Sequence, residues 1–573
     1  MRGCFIGFLS IFFVFFYADL LSAQSVYVPL NHSVYPFIER FEVKGVLRNS
    51  LTATKPLTRM EMARFIHKIR ENYTTGLSLS QVDVDWLKFY EGEFREEILS
   101  INPSARIEIP ETPDWLAGLK GKFPDYVYKN GRNLLEFKRD DFSIFVDIIA
   151  HHDDRITDTD SVSALDEVYR YTTGIQIRGN LGERIGFYID ARNTKEWGSR
   201  EYPEGRDITA PGSGWISNFG SYQFHDETIA YLIVKASPFE IEIGKNLNRW
   251  GPGYRGALLL SDNATSYDLI KLKTQFWRIK FAHLFGYLEQ YPRIVEQVFD
   301  EKSGRKRKYA RKYIAAHRLE INLFDGINIG MHETVVYGQR GIELAYLNPL
   351  MFLRSAEHYL GDQDNALMGA DISLNLMNGW KWYGEFLMDD IFIKRLGTNW
   401  YGNKFGYIGG VLWADPFGFP DASLRIEYTR IKPFVYTHKF PINVYKHYNT
   451  GLGHFLPPNS DEWYIAGSRY FTRKLFTGFE LRYFRHGANT PGRNVGGDIN
   501  QPHPTPDDVY IKFLEGEIRK KKSLRLVMSY ELLRNLFIKG ECEFVSGSNF
   551  HINGVHGGNF TSKQFFISVG LNY

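Results

Sequence analysis

The chain has 573 residues, a formal net charge of +3 and an aromatic content of 16%. This length exceeds what one compact core needs, and the small net charge gives no indication of a nucleic-acid partner. Charged residues make up 24% of the chain, which excludes a bundle of apolar membrane-spanning helices.

The N-terminus has the pattern of a secretory signal. Arg2 precedes an apolar run from Phe5 to Tyr17, and Ala23 offers a small residue at a cleavage site. The pattern predicts a signal peptide over residues 1–23. The alternative is a single membrane anchor, for which the apolar run is short.

The two cysteines are far apart in the sequence. Cys4 lies within the predicted signal, so only Cys542 remains in the exported chain. We therefore expect no internal disulfide, and stability has to come from sheet closure or a large core.

Residues 24–100 are predicted to form a helical module. The first helix is indicated by apolar residues that recur at the spacing of one helix face, namely Val34, Phe37, Ile38 and Phe41. A second helix begins at Thr58, because Glu61 completes a capping box. The apolar face of the second helix consists of Met62, Phe65, Ile66 and Ile69.

The two helices, with the sequence "PLTRMEMARFI", resemble a single S-layer-homology repeat over residues 26–75. The resemblance implies a periplasmic module that contacts peptidoglycan or another periplasmic component. The alternative interpretation is a plain helical plug or spacer.

Residues 101–141 are predicted to connect this module to a β-barrel. From residue 142 onward the hydrophobic period changes to two, as in β-strands. In "FSIFVDII" the apolar side chains share one face, and they are Phe142, Ile144, Val146 and Ile148.

The end of the chain favours a transmembrane barrel over a soluble sandwich. Gln564, Ser568 and Asn572 lie on the face opposite to a continuous apolar row, as expected for barrel strands that are apolar outside and polar inside. The apolar row consists of Phe565, Ile567, Val569, Leu571 and Tyr573. A terminal aromatic residue on such a strand resembles the assembly signal of bacterial outer-membrane barrels.

Loop lengths predict the number of strands. Short connections are expected at 237–238, 324–326, 378–379, 415–421, 472–474 and 534–535. They alternate with long segments at 152–170, 194–227, 248–266, 289–312, 338–366, 389–404, 434–461, 487–522 and 546–562. Since periplasmic turns are short and outer loops long, the pattern predicts an 18-stranded antiparallel barrel over residues 142–573. This count requires that 510–518 belongs to an outer excursion.

The stretch "GKNLNRWGPGYRGALLLSDNAT", residues 244–265, contains Gly-x-Gly-x-x-Gly at Gly251, Gly253 and Gly256. A dinucleotide site needs a helix directly after the third glycine. A short apolar run and another alternating strand follow instead, so we interpret the fingerprint as accidental.

Several stretches together resemble the Wzi-type capsule-assembly outer-membrane family. They are the glycine-rich stretch at 244–265, "YIAAHRLEI" at 313–321, "GMHETVVYG" at 330–338, "AYLNPLMF" at 345–352 and "GDQDNALMGAD" at 361–371. The resemblance implies an 18-stranded barrel and a lectin-like role in holding surface polysaccharide. The helical repeat at 26–75 departs from the helical bundle of the type member.

Four residues of the glycine-rich stretch are candidate glycan contacts. Trp250 and Tyr254 offer aromatic faces, and Arg249 and Arg255 could form charge-assisted hydrogen bonds with acidic sugars. The alternative is a structural constriction in which the arginines pair with barrel carboxylates.

A second candidate is a polar cluster in the lumen, formed by Glu333, Asn348, Asp362, Asp364 and Asn365. "GDQDN" is rich in oxygen ligands but falls short of a complete calcium loop. His317, His332 and His358 have no metal-like spacing. We therefore predict no metal and no cofactor.

Two basic runs, 302–312 and 519–523, are predicted in outer loops. Such runs are usually solvated. They could also contact acidic lipopolysaccharide or an anionic capsule.

We predict an outer-membrane barrel lectin that takes part in the assembly and surface attachment of capsule or exopolysaccharide. The alternative is a diffusion porin for oligosaccharides or anions, which would require an open lumen. No Gly-x-Ser-x-Gly occurs in the sequence, and we predict no enzymatic activity. The expected partners are polysaccharide and the outer membrane with its lipopolysaccharide.

Overall fold

The computed structural model describes residues 26–108, 130–139, 141–160, 165–199, 216–291, 293–298, 307–504, 507–552 and 555–572. The predicted signal peptide, most of the predicted connecting segment and Tyr573 lie outside these residues.

Within the described residues, eighteen antiparallel strands form the wall of a closed barrel. In chain order they are β1 Phe142–Thr159, β2 Asp166–Leu181, β3 Ile185–Gly198, β4 Tyr222–Ala236, β5 Phe239–Asn246, β6 Tyr267–Phe276, β7 Ile279–Leu288, β8 Lys312–Phe324, β9 Ile327–Gly338, β10 Asn365–Met377, β11 Trp380–Asp390, β12 Lys404–Ala414, β13 Ala422–Ile431, β14 Ser460–Tyr470, β15 Leu475–Ala488, β16 Glu517–Leu533, β17 Leu536–Ile552 and β18 Val555–Leu571. The barrel closes where β18 pairs with β1. The predicted 18-stranded antiparallel barrel is confirmed.

The helices of the described chain are α1 Val34–Val43, α2 Arg59–Thr74, α3 Gln81–Glu93, α4 Arg95–Ile101, α5 Leu344–Leu347 and α6 Leu353–Tyr359, with short 3-10 turns at Ile393–Arg395, Pro416–Gly418 and Pro441–Asn443. Short strands outside the wall count are Thr54–Lys55, Leu135–Arg139, Ile216–Asn218, Arg249–Trp250, Val295–Val298, Arg307–Tyr309, Lys446–His447 and Thr450–Gly451.

All six predicted short connections join consecutive wall strands. Two further short turns, at 182–184 and 277–278, were not predicted. Residues 510–516 lie outside the wall, as the strand count required, and β16 begins at Glu517.

Several predicted outer loops are in fact continuations of strands. The basic run 519–523 belongs to β16, and residues 546–552 and 555–562 extend β17 and β18. The prediction of loops there is wrong. A strand that extends beyond the lipid belt keeps its hydrogen bonds to the neighbouring strands, but its side chains are polar on both faces, so the alternation of apolar and polar residues is lost. Lys520 and Lys522 are exposed in this part of β16, and their contact with lipopolysaccharide stays a prediction.

The other basic run, 302–312, is buried at its last residue and is not a solvated loop there. Residues 302–306 lie outside the described part of the chain. Lys312 begins β8 and is buried, and its Nζ donates hydrogen bonds to the carbonyl oxygens of Val444 and Lys446, both at 2.7 Å.

The predicted connecting segment contributes to the barrel. Leu135–Arg139 pairs with β1 at residues Phe142–Val146, whereas β18 pairs with β1 only from Ala150 onward. The short strand therefore occupies the edge of β1 that β18 leaves free.

The outward face of the wall is apolar. In β18, Phe565, Ile567 and Val569 are exposed, while Ser568 on the opposite face is buried. This is the pattern of strands whose outer surface contacts lipid. Among the described residues, no helix has the length and apolar character needed to cross a membrane.

The helical module has its own core. Thr58 and Glu61 form the predicted capping box at the start of α2. The predicted apolar face of α1 is buried, and it packs with Met62, Ile66 and Ile69 of α2 and with Trp86 and Tyr90 of α3. The described part of the module contains four helices where the sequence indicated two, and the S-layer-homology resemblance stays a prediction.

The module occupies the end of the barrel at which the short turns lie. Its ion pairs with the barrel are distributed around this end: Glu61 with Lys273 and Lys280, Arg40 with Asp415 and Asp421, and Glu93 with Arg534. Because short turns mark the periplasmic side, the helices form a periplasmic plug.

Two outer loops, 247–266 and 432–459, fold into the barrel and fill part of the lumen. Their buried side chains pack with the inner faces of the wall, and the shared core includes Trp250, Leu258, Leu260, Tyr436 and Tyr445. The inner residues of the wall include Leu284, Val336 and Leu367. These two segments, which the sequence predicts as outer loops, are therefore inserted along β6 to β13.

Candidate functional site

The glycine-rich stretch crosses the inside of the barrel. Arg249–Trp250 pairs with Thr54–Lys55 of the helical module in a two-stranded sheet. Gly251 has φ of +135°, a conformation that favours glycine, and a side chain there would collide with Glu385. The stretch thus joins the plug to the wall, which departs from its predicted position on the outer side.

Wall carboxylates hold the backbone of this turn. Glu385 of β11 accepts hydrogen bonds from the backbone N–H groups of Gly253 at 2.7 Å and Leu258 at 2.8 Å. Glu427 of β13 accepts from Tyr254 at 2.7 Å and Arg255 at 2.9 Å. Both carboxylates therefore satisfy donors that would otherwise be buried without partners.

The two candidate arginines are engaged within the protein. Arg249 donates to the carbonyl oxygens of Gly253 and Tyr254, and Arg255 forms an ion pair with Glu462 at 3.1 Å. This arrangement favours the structural constriction that the sequence left open.

The two aromatic candidates differ in accessibility. Trp250 is 0% exposed and offers no surface to a sugar. Tyr254 is 46% exposed, and the guanidinium of Arg425 lies 4.1 Å from its ring centroid. Tyr254 faces an internal cavity of about 320 Å³ between the plug and the wall, which Trp86 and Glu480 also line.

His454 lies against this turn, and its ring is the nearest neighbour of Gly256. Burial, together with the charges of Arg255 and Arg249, lowers the pKa of His454 to about 3. The imidazole is therefore neutral at physiological pH and does not add to the positive charge of the turn.

The predicted lumen cluster does not form. Glu333 lies on the outward face of β9 and accepts a hydrogen bond from the backbone N–H of Leu353 at 2.8 Å. Asp364 pairs with Arg340 and accepts from the hydroxyl of Tyr346. Glu333 lies outside the lumen because successive residues of a strand point to opposite faces.

Asp362, Asp364 and Asn365 line one outer cavity, whereas Asn348 lies apart from them. Asn348 is exposed and caps the following turn at Leu350, at 3.0 Å. Asn365 is buried and donates to the carbonyl oxygen of Asn443 at 2.8 Å. Asp362 is exposed, and its carboxylate with Glu357 and His358 offers ligand atoms within 4.8 Å of one another. We assign no metal to these three residues.

An outer cavity of about 260 Å³ brings together residues from four loop regions that the sequence did not connect. Aromatic rings are supplied by Trp400, Tyr401 and His503, cations by Arg354, Lys404 and Lys439, and carboxylates by Glu357, Asp362, Asp364, Asp389 and Asp390. Tyr401 and His503 stack with ring centroids 3.6 Å apart.

The chemistry of this cavity suits a sugar. Aromatic faces pack against the C–H patches of sugars, carboxylates accept hydrogen bonds from sugar hydroxyls, and cations form charge-assisted bonds with acidic groups. Burial and the charge of Lys404 lower the pKa of His438, at the cavity wall, to about 4. The only sequence signal was "NWYGN" at 399–403, within a long outer segment.

Comparisons with known proteins place the chain in a family. The sequence matches the family described as capsule assembly protein Wzi over residues 146–558. A search of the curated proteins finds no match.

Among solved structures, one similar fold is Wzi of Escherichia coli, described as an outer-membrane protein involved in group 1 capsule assembly and as a carbohydrate-binding β-barrel. It has 14% identity and a TM-score of 0.51, and the match covers 95% of this chain and 99% of that one. OccAB1 of Acinetobacter baumannii matches with 8% identity and a TM-score of 0.42, covering 75% of this chain and 96% of that one. The family match spans most of the barrel, and the protein is an outer-membrane β-barrel that belongs to the capsule assembly protein Wzi family.

Proposed function

We propose that this barrel binds capsular or extracellular polysaccharide at its outer surface and holds it there during capsule assembly. The observation that carries the proposal is the outer cavity, which combines aromatic rings with carboxylates and cationic side chains at the rim of the barrel. The description of Escherichia coli Wzi as carbohydrate-binding and involved in capsule assembly supports it. The proposal includes no catalytic step.

The plug and the inserted loops favour binding over diffusion. The helical module is ion-paired around the periplasmic end, and an apolar core fills the lumen beside β6 to β13. A diffusion porin needs a continuous aqueous path, whereas a lectin needs only an accessible surface. Among the four candidate residues of the glycine-rich turn, Arg249 and Trp250 pair with the plug, Arg255 pairs with Glu462 of the wall, and Tyr254 is exposed to a cavity.

Simultaneous Trp400→Ala and Lys439→Ala substitutions are expected to weaken polysaccharide binding at least tenfold. The loss of one hydrogen bond to a charged group costs about 1.5–3 kcal/mol, and a tenfold change corresponds to about 1.4 kcal/mol. The measurement is the affinity of the purified protein for acidic capsule from its own organism.

The matched control is Trp197→Ala with Lys195→Ala, which removes another aromatic and cation pair near the outer end of β3, 5.5 Å apart. We expect this control to bind like the unchanged protein. Equal affinities of both double variants and the unchanged protein would contradict a role for the outer cavity, and no binding of any acidic polymer would overturn the proposed function.

We also propose that the helical module contacts peptidoglycan or another periplasmic component, as its S-layer-homology resemblance implies. Arg64 and Lys68 are exposed one turn apart on α2, and such a basic face would attract anionic cell-wall groups. The Arg64→Glu and Lys68→Glu double variant is expected to lose cosedimentation with purified sacculi. Lys88→Glu, at an exposed position of α3, is the control, and unchanged sedimentation of the double variant refutes this part of the proposal.

A further inference from the structure

Three polar side chains form a row on the outward face of the wall. His283 of β7, His317 of β8 and Glu333 of β9 are register partners in adjacent strands. The two imidazole rings lie 4.7 Å apart, and His317 Nδ1 lies 3.4 Å from Glu333 Oε1. These residues share their face with Met331, which is exposed on the outer surface of the barrel.

The row lies within the height of the lipid belt. Glu333 is only a few residues from Ile327, where β9 begins at its periplasmic turn, and a spanning strand needs about 9–11 residues. Polar groups at this depth are costly when they face lipid directly. The structure therefore needs a cover over this part of the wall.

The segment 339–364 supplies that cover. This segment, which we call the wall-covering loop, leaves the outer end of β9 and folds back along the outside of the barrel. Both carboxylate oxygens of Glu333 accept backbone N–H groups at the start of α6, from Leu353 at 2.8 Å and Arg354 at 3.4 Å. Outward side chains of the wall pack with α5 and α6, and this buried set includes Val335, Tyr337, Tyr346, Leu353 and Ala356.

The side of the loop that points away from the wall is apolar. Leu350 is 87% exposed and Tyr359 is 95% exposed, and Leu344 and Phe352 are exposed to a similar degree. Single exposed apolar residues are ordinary on soluble proteins, but several large ones on one short segment mark a contact surface.

Five of the six charged side chains of the loop form ion pairs within it, whereas Asp362 is exposed. Arg340 pairs with Glu343 at 2.8 Å and also with Asp364, and Arg354 pairs with Glu357 at 3.0 Å. At a membrane these pairs lower the cost of bringing charged residues near the lipid.

We infer that the wall-covering loop is embedded in the outer leaflet, with Leu344, Leu350, Phe352 and Tyr359 in contact with lipid. The loop is continuous with the lipid-facing belt, because the outward residues Met331 of β9 and Ile372 of β10 are exposed beside it. This continuity favours lipid over a second copy of the chain as the occupant. The loop thus anchors the membrane side of the outer cavity, to which Arg354 and Glu357 of α6 contribute. The inference does not depend on polysaccharide binding.

Spin labels test the inference directly. In a background with Cys4→Ser and Cys542→Ser, single Leu350→Cys and Phe352→Cys variants are labelled with a nitroxide and placed in phosphatidylethanolamine and phosphatidylglycerol vesicles. The measurement is the accessibility of each label to oxygen, which partitions into lipid, and to a water-soluble nickel complex. We expect an oxygen-to-nickel ratio several-fold higher than that of an exposed label in water.

Two positions calibrate the measurement. Leu526→Cys lies on the lipid-facing side of β16, and Thr490→Cys lies at an exposed position of the polar outer connection between β15 and β16. Ratios at 350 and 352 that resemble the ratio at 526 support the inference, and ratios that resemble the one at 490 overturn it. Exclusion of both reagents with dipolar broadening would indicate contact with a second copy and would also overturn it. All four positions are exposed, so these substitutions leave the core intact.

Discussion

Replacing Trp250 with alanine is expected to lower the free energy of unfolding by about 3–5 kcal/mol, the range for truncation of a buried tryptophan. Trp250 is 0% exposed and packs in the core formed by the inserted loops and the inner wall. Its backbone also links the plug to the barrel, since Trp250 pairs with Thr54. The resulting cavity would therefore weaken both the packing of the inserted loops and the attachment of the plug to the barrel.

The measurement is urea unfolding of the purified barrel in detergent, followed by the change in gel mobility between folded and unfolded forms. Trp277→Ala is the control, because Trp277 is highly exposed in the turn between β6 and β7. If Trp250→Ala and Trp277→Ala shift the unfolding midpoint equally, Trp250 does not have the core role that its burial indicates.

Replacing Glu61 with glutamine is expected to destabilise the seated plug by about 3–5 kcal/mol, the usual cost of removing one partner of a buried ion pair. Glu61 of α2 lies 2.9 Å from the Nζ atoms of both Lys273 of β6 and Lys280 of β7. Both lysines are buried. Without the carboxylate, their charges lose an anionic partner in the interior.

Loosening of the plug should be detectable as ionic current through the barrel. In planar bilayers we expect the unchanged protein to show few openings and Glu61→Gln to show frequent ones, together with a lower urea midpoint. Glu71→Gln, an exposed position on the same helix, should behave like the unchanged protein. Identical traces for Glu61→Gln and the unchanged protein would contradict the sealing role of this ion pair, and large stable openings of the unchanged protein would favour the diffusion porin.

The architecture was predictable because it depends on local signals. Alternation of apolar and polar residues determines which face of a strand meets lipid, and short turns such as 378–379 and 534–535 are compact enough to be located from sequence alone. The capping box of Thr58 and Glu61 is equally local, since both residues lie within one helical turn. Strand ends above the membrane were missed, as at 519–523, because charged residues occupy both faces there.

The candidate site was less predictable. The residues around Trp250 are correctly placed on a constrained turn, but the sequence does not reveal whether that turn points outward or into the barrel. The outer cavity likewise joins Trp400 to His503 across a long separation in the chain. No periodicity connects residues that meet only when loops converge.

By itself, the sequence determined the barrel, its strand number, its orientation and the start of the plug helices, because each follows from spacing within a few residues. Only the tertiary structure decided that Trp250 is core, that Glu333 lies beneath α6 on the outer wall, and that α2 is anchored to the barrel through Glu61. The reason is physical: burial and ion pairing depend on which surfaces meet after folding, and those surfaces come from distant parts of the chain.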